Sequence, residues 1–139
     1  MKEPFSVRPG KPVPHPFVVE ALAGVVTESK PMFGSLALYV REKIVLILRD
    51  KRDGSRDDGV WLATSVEHHE SLRRDFPNMR SVGILGLGVT HWQVLAVDTP
   101  DFEEAALRAC ELVSAGDPRI GRVPKSRSRN SKAVKKRIR

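Results

Sequence analysis

The stretch "PMFGSLALYVREKIVLILRD", residues 31–50, decides the fold. Two runs rich in aliphatic and β-branched residues, "LALYV" and "IVLIL", flank the charged triplet Arg41-Glu42-Lys43, the pattern of two strands joined by a polar turn. Upstream, Phe17, Val18, Ala21, Leu22 and Val25 recur at three- and four-residue spacing. That spacing predicts a helix with Pro16 in its first turn and Lys30-Pro31 at its end. Downstream, the polar loop "KRDGSRDDG" leads to a further strand, "VWLAT", from Val60. Thr64 then opens a second helix. Thr64-x-x-Glu67 has capping-box spacing, Val66, His69, Leu72 and Phe76 share one face, and Pro77-Asn78 stops the element. "MRSVGIL" and "THWQVLAV" read as two more strands around a glycine-rich connection. The last helix has Thr99 as N-cap, Pro100 at its first position and Asp101, Glu103 and Glu104 at the positive end of its dipole. Its apolar stripe is Phe102, Ala105, Ala106, Ala109, Leu112 and Val113, and Gly116 suits its C-terminal cap. The order α-ββββ-α-ββ-α predicts an α+β two-layer sandwich, with an antiparallel sheet and helices packed on one side.

Charge divides the chain. Arg122 to Arg139 hold nine of the 24 Lys and Arg residues and no acid, whereas all 17 Asp and Glu lie before them. The net charge of +7 therefore belongs to the C-terminal arm, and the preceding body carries −2. The expected organisation is a Pro-rich flexible segment over 1–15, a folded domain over 16–121 and a disordered basic tail over 122–139. One cysteine excludes an intrachain disulfide and a Cys-rich zinc site. The longest aliphatic run, "IVLIL", is too short for a membrane span, and the N-terminus lacks the apolar core of a signal peptide. A cytoplasmic location is the expectation.

Several motifs suggest chemistry that their spacing does not support. Gly83, Gly86 and Gly88 in "GILGLG" precede a strand rather than a helix, so a bend or bulge is expected instead of a phosphate-binding loop. In "EHHE", residues 67–70, adjacent side chains on a helix diverge by about 100°, so His68 and His69 do not converge on one ion. No metal and no cofactor is expected. "DKRDGSRDDG" misses the alternating oxygens and closing glutamate of a calcium loop. It reads as a solvated hairpin loop, or as a projecting wing whose Lys51, Arg52 and Arg56 touch phosphate. No nucleophile sits in an activating motif, and Cys110 falls on the apolar stripe of the last helix. A non-catalytic protein is expected.

His91-Trp92 opens the final strand. Alternation puts Trp92, Val94 and Ala96 on one face and Gln93, Leu95 and Val97 on the other. Trp92 there reads first as a wall of the core, and second as a surface that stacks a base or lines a ligand pocket together with His91.

Taken together, "LRRDFPNMRS", "THWQVLAVDTPDFEEAALRACELV", "MFG", "LYV", "KIVLILRD" and "VWLAT" resemble the MmcQ/YjbR-like proteins from about Phe17 to Arg122. His91-Trp92 ahead of a helix bearing Leu112-Val113 is the most specific element. Gln93 stands where members often carry Asn, and Ala109-Cys110 where they carry Ser-Tyr, the marks of a divergent member. "MFG…LYV" is also similar to the N-terminal domain of TfoX-type competence regulators. The resemblance implies a two-layer α+β fold and a nucleic-acid role in which strand-and-loop wings meet DNA. It implies no catalytic residues.

The functional expectation is nucleic-acid binding of weak sequence specificity. Lys125, Arg127, Arg129, Lys132, Lys135, Lys136, Arg137 and Arg139 would contact phosphates by counterion release, with Lys51, Arg52 and Arg56 as candidate contacts on the body. The alternative is a module that binds a protein or small ligand beside His91 and Trp92, with the arm as a non-specific tether.

Overall fold

Antiparallel pairing, mostly between strands consecutive in sequence, organises the chain in the computed structural model, which describes residues 13–83 and 91–124. The described elements are α1 (Pro16–Ala21), β1 (Glu28–Met32), β2 (Ser35–Val40), β3 (Lys43–Arg49), β4 (Gly59–Leu62), α2 (His69–Asp75), β5 (Arg80–Ser81), β6 (Gln93–Ala96) and α3 (Phe102–Ser114), with one 3-10 turn at Val66–His68. The strands form a single antiparallel sheet in the order β1-β2-β3-β4-β6-β5. The expected α+β sandwich and its element order are those observed.

The sheet buries both faces. On one, Leu36, Leu38, Val45, Leu46, Leu48, Val60, Leu62 and Leu95 meet Val18 and Leu22, Leu72 and Phe76, and the Ala105, Ala106, Ala109, Cys110, Leu112 and Val113 stripe of α3. Each fully buried Leu here contributes about 1.5–3 kcal/mol relative to exposure. On the other face Ala37, Tyr39, Ile44, Ile47, Trp61, Ala63, Val82, Val94 and Ala96 form a second cluster, to which no described helix contributes. Among the described residues, all helix packing is thus on one side. The register shifts between Leu38 and Tyr39, which pair with Leu46 and Ile44. The resulting bulge turns the adjacent Val45 and Leu46 to the same helix-covered face.

Four expectations need correction. The first helix ends at Ala21, with Leu22 as its C-cap, and Lys30-Pro31 belongs to edge strand β1 instead of a helix terminus. Pro31 is tolerated there because an edge strand has one unpaired side. The expected strand "PMFGSLALYV" is consequently the end of β1, a two-residue turn at Phe33-Gly34 and β2. No capping box forms, since Thr64 is buried and the 3-10 turn starts from Ser65 without a side-chain cap; Val66 is exposed. Finally, α3 starts at Phe102, and the Thr99 hydroxyl donates backwards to the Ala96 carbonyl (2.8 Å) instead of capping. At the far end of α3, Gly116 N–H donates to Val113 O and Asp117 N–H to Leu112 O (both 3.0 Å), the closure that Gly116 led one to expect.

Beyond α3 the chain returns to the sheet. Gly121 N–H donates to Ala63 O, and Arg122, the first residue of the basic segment, pairs with Ile44. The arm therefore leaves beside the first residues of β3.

Candidate nucleic-acid interface

The loop between β3 and β4 buries two of its four acids and leaves its three cations exposed. Asp57 and Asp58 are buried, whereas Lys51, Arg52 and Arg56 are exposed. The Asp58 carboxylate accepts from the Arg49 guanidinium (2.7 Å) and from the backbone N–H groups of Lys51 (3.0 Å) and Arg52 (2.8 Å). Burial alone would raise the Asp58 pKa. The two amides and the Arg49 charge outweigh it and hold the carboxyl below its ordinary value. Arg49, itself buried, also donates to Asp53 (2.8 Å) and Ser55 (2.9 Å). The hydrogen bond from Arg49, aided by the Ser55 amide, lowers Asp53 to about 2. Asp57 accepts from Arg80 Nη1 (3.0 Å) and from Gly83 N–H (3.1 Å), while its carbonyl accepts from Trp61 Nε1 (2.8 Å). The loop is thus an acid-centred scaffold, where the sequence suggested a solvated one.

What that scaffold presents outward is Lys51, Arg52 and Arg56 together with the exposed acids Asp50 and Asp53. The Arg52 and Arg56 side chains are 84% and 79% exposed. They touch Asp50 and Asp98 at 3.2 Å each. Exposed pairs of this kind contribute about 0–1 kcal/mol, so a phosphate competes for either arginine at little cost. Lys51 Nζ donates to the Phe33 carbonyl (3.2 Å), which ties the loop to the β1–β2 turn. Phe33 itself is 90% exposed. At the other side of the same sheet end, Ser55, Arg56, Asp57, Arg80 and Gly83 line an open recess of about 410 Å³. Antiparallel pairing brings Phe33, Lys51, Arg52, Arg56 and Arg80 to one end of the sheet, across between four and five strand spacings of ~4.8 Å.

Phe33 and Arg80 were not singled out by sequence reasoning. An aromatic directly before glycine, ahead of the strand-like run "LALYV", was the available signal for Phe33. Arg80 carried none, because its role depends on Asp57, 23 positions away.

The other candidates are elsewhere. His91 is exposed; its Nδ1 accepts from Val66 N–H (3.2 Å), and its carbonyl lies 3.1 Å from His69 Nε2. Burial, foremost, depresses the pKa of His69. Trp92 is half-buried and meets Trp61 edge-on, with ring centroids 6.1 Å apart. Neither His91 nor Trp92 lines the recess beside Arg80, or the narrow cleft between Phe76 and Ala105. Among the described residues, no group of three or more His, Cys, Asp or Glu could hold a metal ion, and no helix is long and apolar enough to cross a membrane. Lys125, Arg127, Arg129, Lys132, Lys135, Lys136, Arg137 and Arg139 lie outside the described residues, as do Gly86 and Gly88. Comparison of the chain with protein-family models, with curated proteins and with solved structures gives no match in any of the three.

Proposed function

We propose that the protein is a non-catalytic nucleic-acid-binding protein of weak sequence specificity. In it the basic arm supplies most of the affinity and the cationic end of the sheet orients the body on the phosphate backbone. One observation carries this reading: the β3–β4 loop withdraws Asp57 and Asp58 from the surface while Lys51, Arg52 and Arg56 remain on it. Three exposed cations are thus available to phosphate at this end although the body's formal balance is −2. The likeness to MmcQ/YjbR-like proteins, with their wings against DNA, points the same way. Geometry permits both parts to act on one polymer. The arm departs after Pro124, near Ile44, and β3 spans about 20 Å from there to the loop. Fifteen residues beyond Pro124 reach at most ~50 Å.

The test is a salt titration of binding to a mixed-sequence duplex. The full chain is compared with a chain ending at Pro124, which keeps the Arg122–Ile44 pairing. The truncated chain is expected to bind weakly, with a log–log salt slope near −3 for three phosphates, and the full chain more tightly and more steeply. Lys51→Ala, Arg52→Ala and Arg56→Ala combined should abolish the residual binding. Failure of the full chain to bind at low salt, or equal slopes for both chains, would overturn the proposal.

A further inference from the structure

Phe33 is a poor residue for its position on two independent counts. It occupies the first place of the two-residue turn between the paired Met32 and Ser35, and both turn residues have positive φ, 51° at Phe33 and 81° at Gly34. Such turns favour Asn or Asp at the first place and Gly at the second. An aromatic side chain in the left-handed region is strained, whereas Gly34 meets its requirement without penalty. Phe33 is also 90% exposed, more than any other large apolar residue described, so it returns little burial energy to the fold. A local choice that costs the fold on both counts is the kind retained for contact with something else.

The surroundings specify that contact. The Phe33 carbonyl accepts from Lys51 Nζ, and the Lys51 side chain runs past Gly34. Arg52 follows with its guanidinium almost fully exposed. A single aromatic side chain at the tip of a two-residue turn, with the Lys51 ammonium at its own carbonyl, offers less area than a protein helix or sheet needs. It does match a planar base flanked by phosphates. In a stacked duplex the base faces are covered, and a wedge must break the stack to reach one. An unpaired strand offers them freely.

Building on the nucleic-acid reading above, we infer that Phe33 is a stacking platform for an unpaired nucleobase, with Lys51 and Arg52 holding the adjoining phosphates, so that the protein prefers single-stranded to double-stranded nucleic acid.

The experiment uses the full chain and its Phe33→Asn and Phe33→Tyr variants. Binding is measured by fluorescence anisotropy to a labelled 20-nucleotide thymidine oligomer, to an abasic oligomer of equal charge, and to a duplex, at one salt concentration. The wild type is expected to favour the thymidine oligomer over the abasic one by about tenfold, the usual worth of one stacked base. Phe33→Asn should erase that preference, leave abasic and duplex binding unchanged, and raise the melting temperature by a few degrees because Asn suits the turn. Phe33→Tyr should keep the preference. Should Phe33→Asn bind the thymidine oligomer as tightly as the wild type, the stacking inference fails and the arm-and-loop reading stands. Absence of binding to all three polymers by the wild type overturns both. Phe33-dependent capture by phosphatidylglycerol vesicles, without any preference for thymidine over abasic oligomer, overturns the inference in favour of a lipid surface.

Discussion

The Arg49 guanidinium meets the Asp58 carboxylate at 2.7 Å, and around this buried pair the whole β3–β4 loop is arranged. Arg49 ends β3 and Asp58 directly precedes β4, so the pair also clamps two adjacent strands at the end that carries the exposed cations. Folding and the candidate interface thus depend on the same carboxylate.

Removing one partner leaves the other charged and desolvated. Asp58→Asn should therefore cost about 3–5 kcal/mol, as should Arg49→Met, because both side chains are at most one-tenth exposed. The double variant should lose less than the sum of the two, since no orphan charge remains. It should not recover fully, because the Lys51 and Arg52 amides also rely on Asp58. Urea denaturation of the four proteins checks this. Strict additivity would show that the pair does not act as a unit.

Acid should loosen the loop before it unfolds the sheet. The folded carboxyls of Asp53 and Asp58 titrate below the ordinary 3.8. Their stabilisation is therefore complete above that value and is lost as the pH falls through the lower folded pKa, about 2 for Asp53. Asp75, held down first by a hydrogen bond from Arg108, and Asp117, held down first by one from Arg119, act in the same sense between the helices. Stability measured from pH 5 down to pH 2 should fall most steeply below 3.8. In Asp58→Asn the decline should be shallower. An identical decline in both proteins would remove Asp58 from the account.

How much of this was legible in sequence follows a physical divide. Elements dictated by local pattern could be read: the β2–β3 hairpin, the alternation that sends Leu95 and Val94 to opposite faces of β6, and the α3 stripe with Cys110 inside it. Features caused by distant partners could not. β1 has no alternating apolar residues and exists because its backbone pairs with β2. The bulge that sends both Val45 and Leu46 to the helices leaves no mark in an all-apolar run. The burial of Asp57 and Asp58 depends on Arg80 and Arg49. At the candidate interface, Lys51, Arg52 and Arg56 were recognisable by charge type. Their exposure also followed from the projecting-wing reading, whereas the buried acids beneath them and Phe33 at the same sheet end did not.

Gly59 should tolerate no side chain. It begins β4 at φ 147°, and an added Cβ would collide with the Leu95 carbonyl oxygen and lie 3.0 Å from the Ala96 Cα of the paired strand. These are backbone atoms of a central strand and have nowhere to move. Gly59→Ala should cost about 3 kcal/mol, combining the unfavourable φ with overpacking. Thermal and urea denaturation would detect it. A loss below about 1 kcal/mol would mean that β6 separates from β4 more easily than their pairing implies.

Cys110 should be chemically silent in the folded protein. It faces the helix side of the core from α3, and burial raises its thiol pKa to about 11. A buried thiol at neutral pH presents almost no thiolate to an electrophile. A disulfide reagent should therefore label the native chain at the rate of global unfolding, and label it at once in denaturant. Fast native labelling would require α3 to open locally, against the packing of its Ala105, Ala109 and Leu112 neighbours.

Trp92 should matter to stability more than to binding. Its ring packs edge-to-face on Trp61, whose indole N–H donates to the Asp57 carbonyl, so it supports the loop scaffold from the sheet face opposite the helices. Because Trp92 is only half-buried, Trp92→Ala should cost about 2 kcal/mol, less than a fully buried tryptophan, and Trp92→Phe under about 1 kcal/mol. Both variants should bind nucleic acid with wild-type affinity and salt slope where they are fully folded. A folded Trp92→Phe with a tenfold loss of affinity would instead place a base or ligand on the indole, and would revive the pocket beside His91.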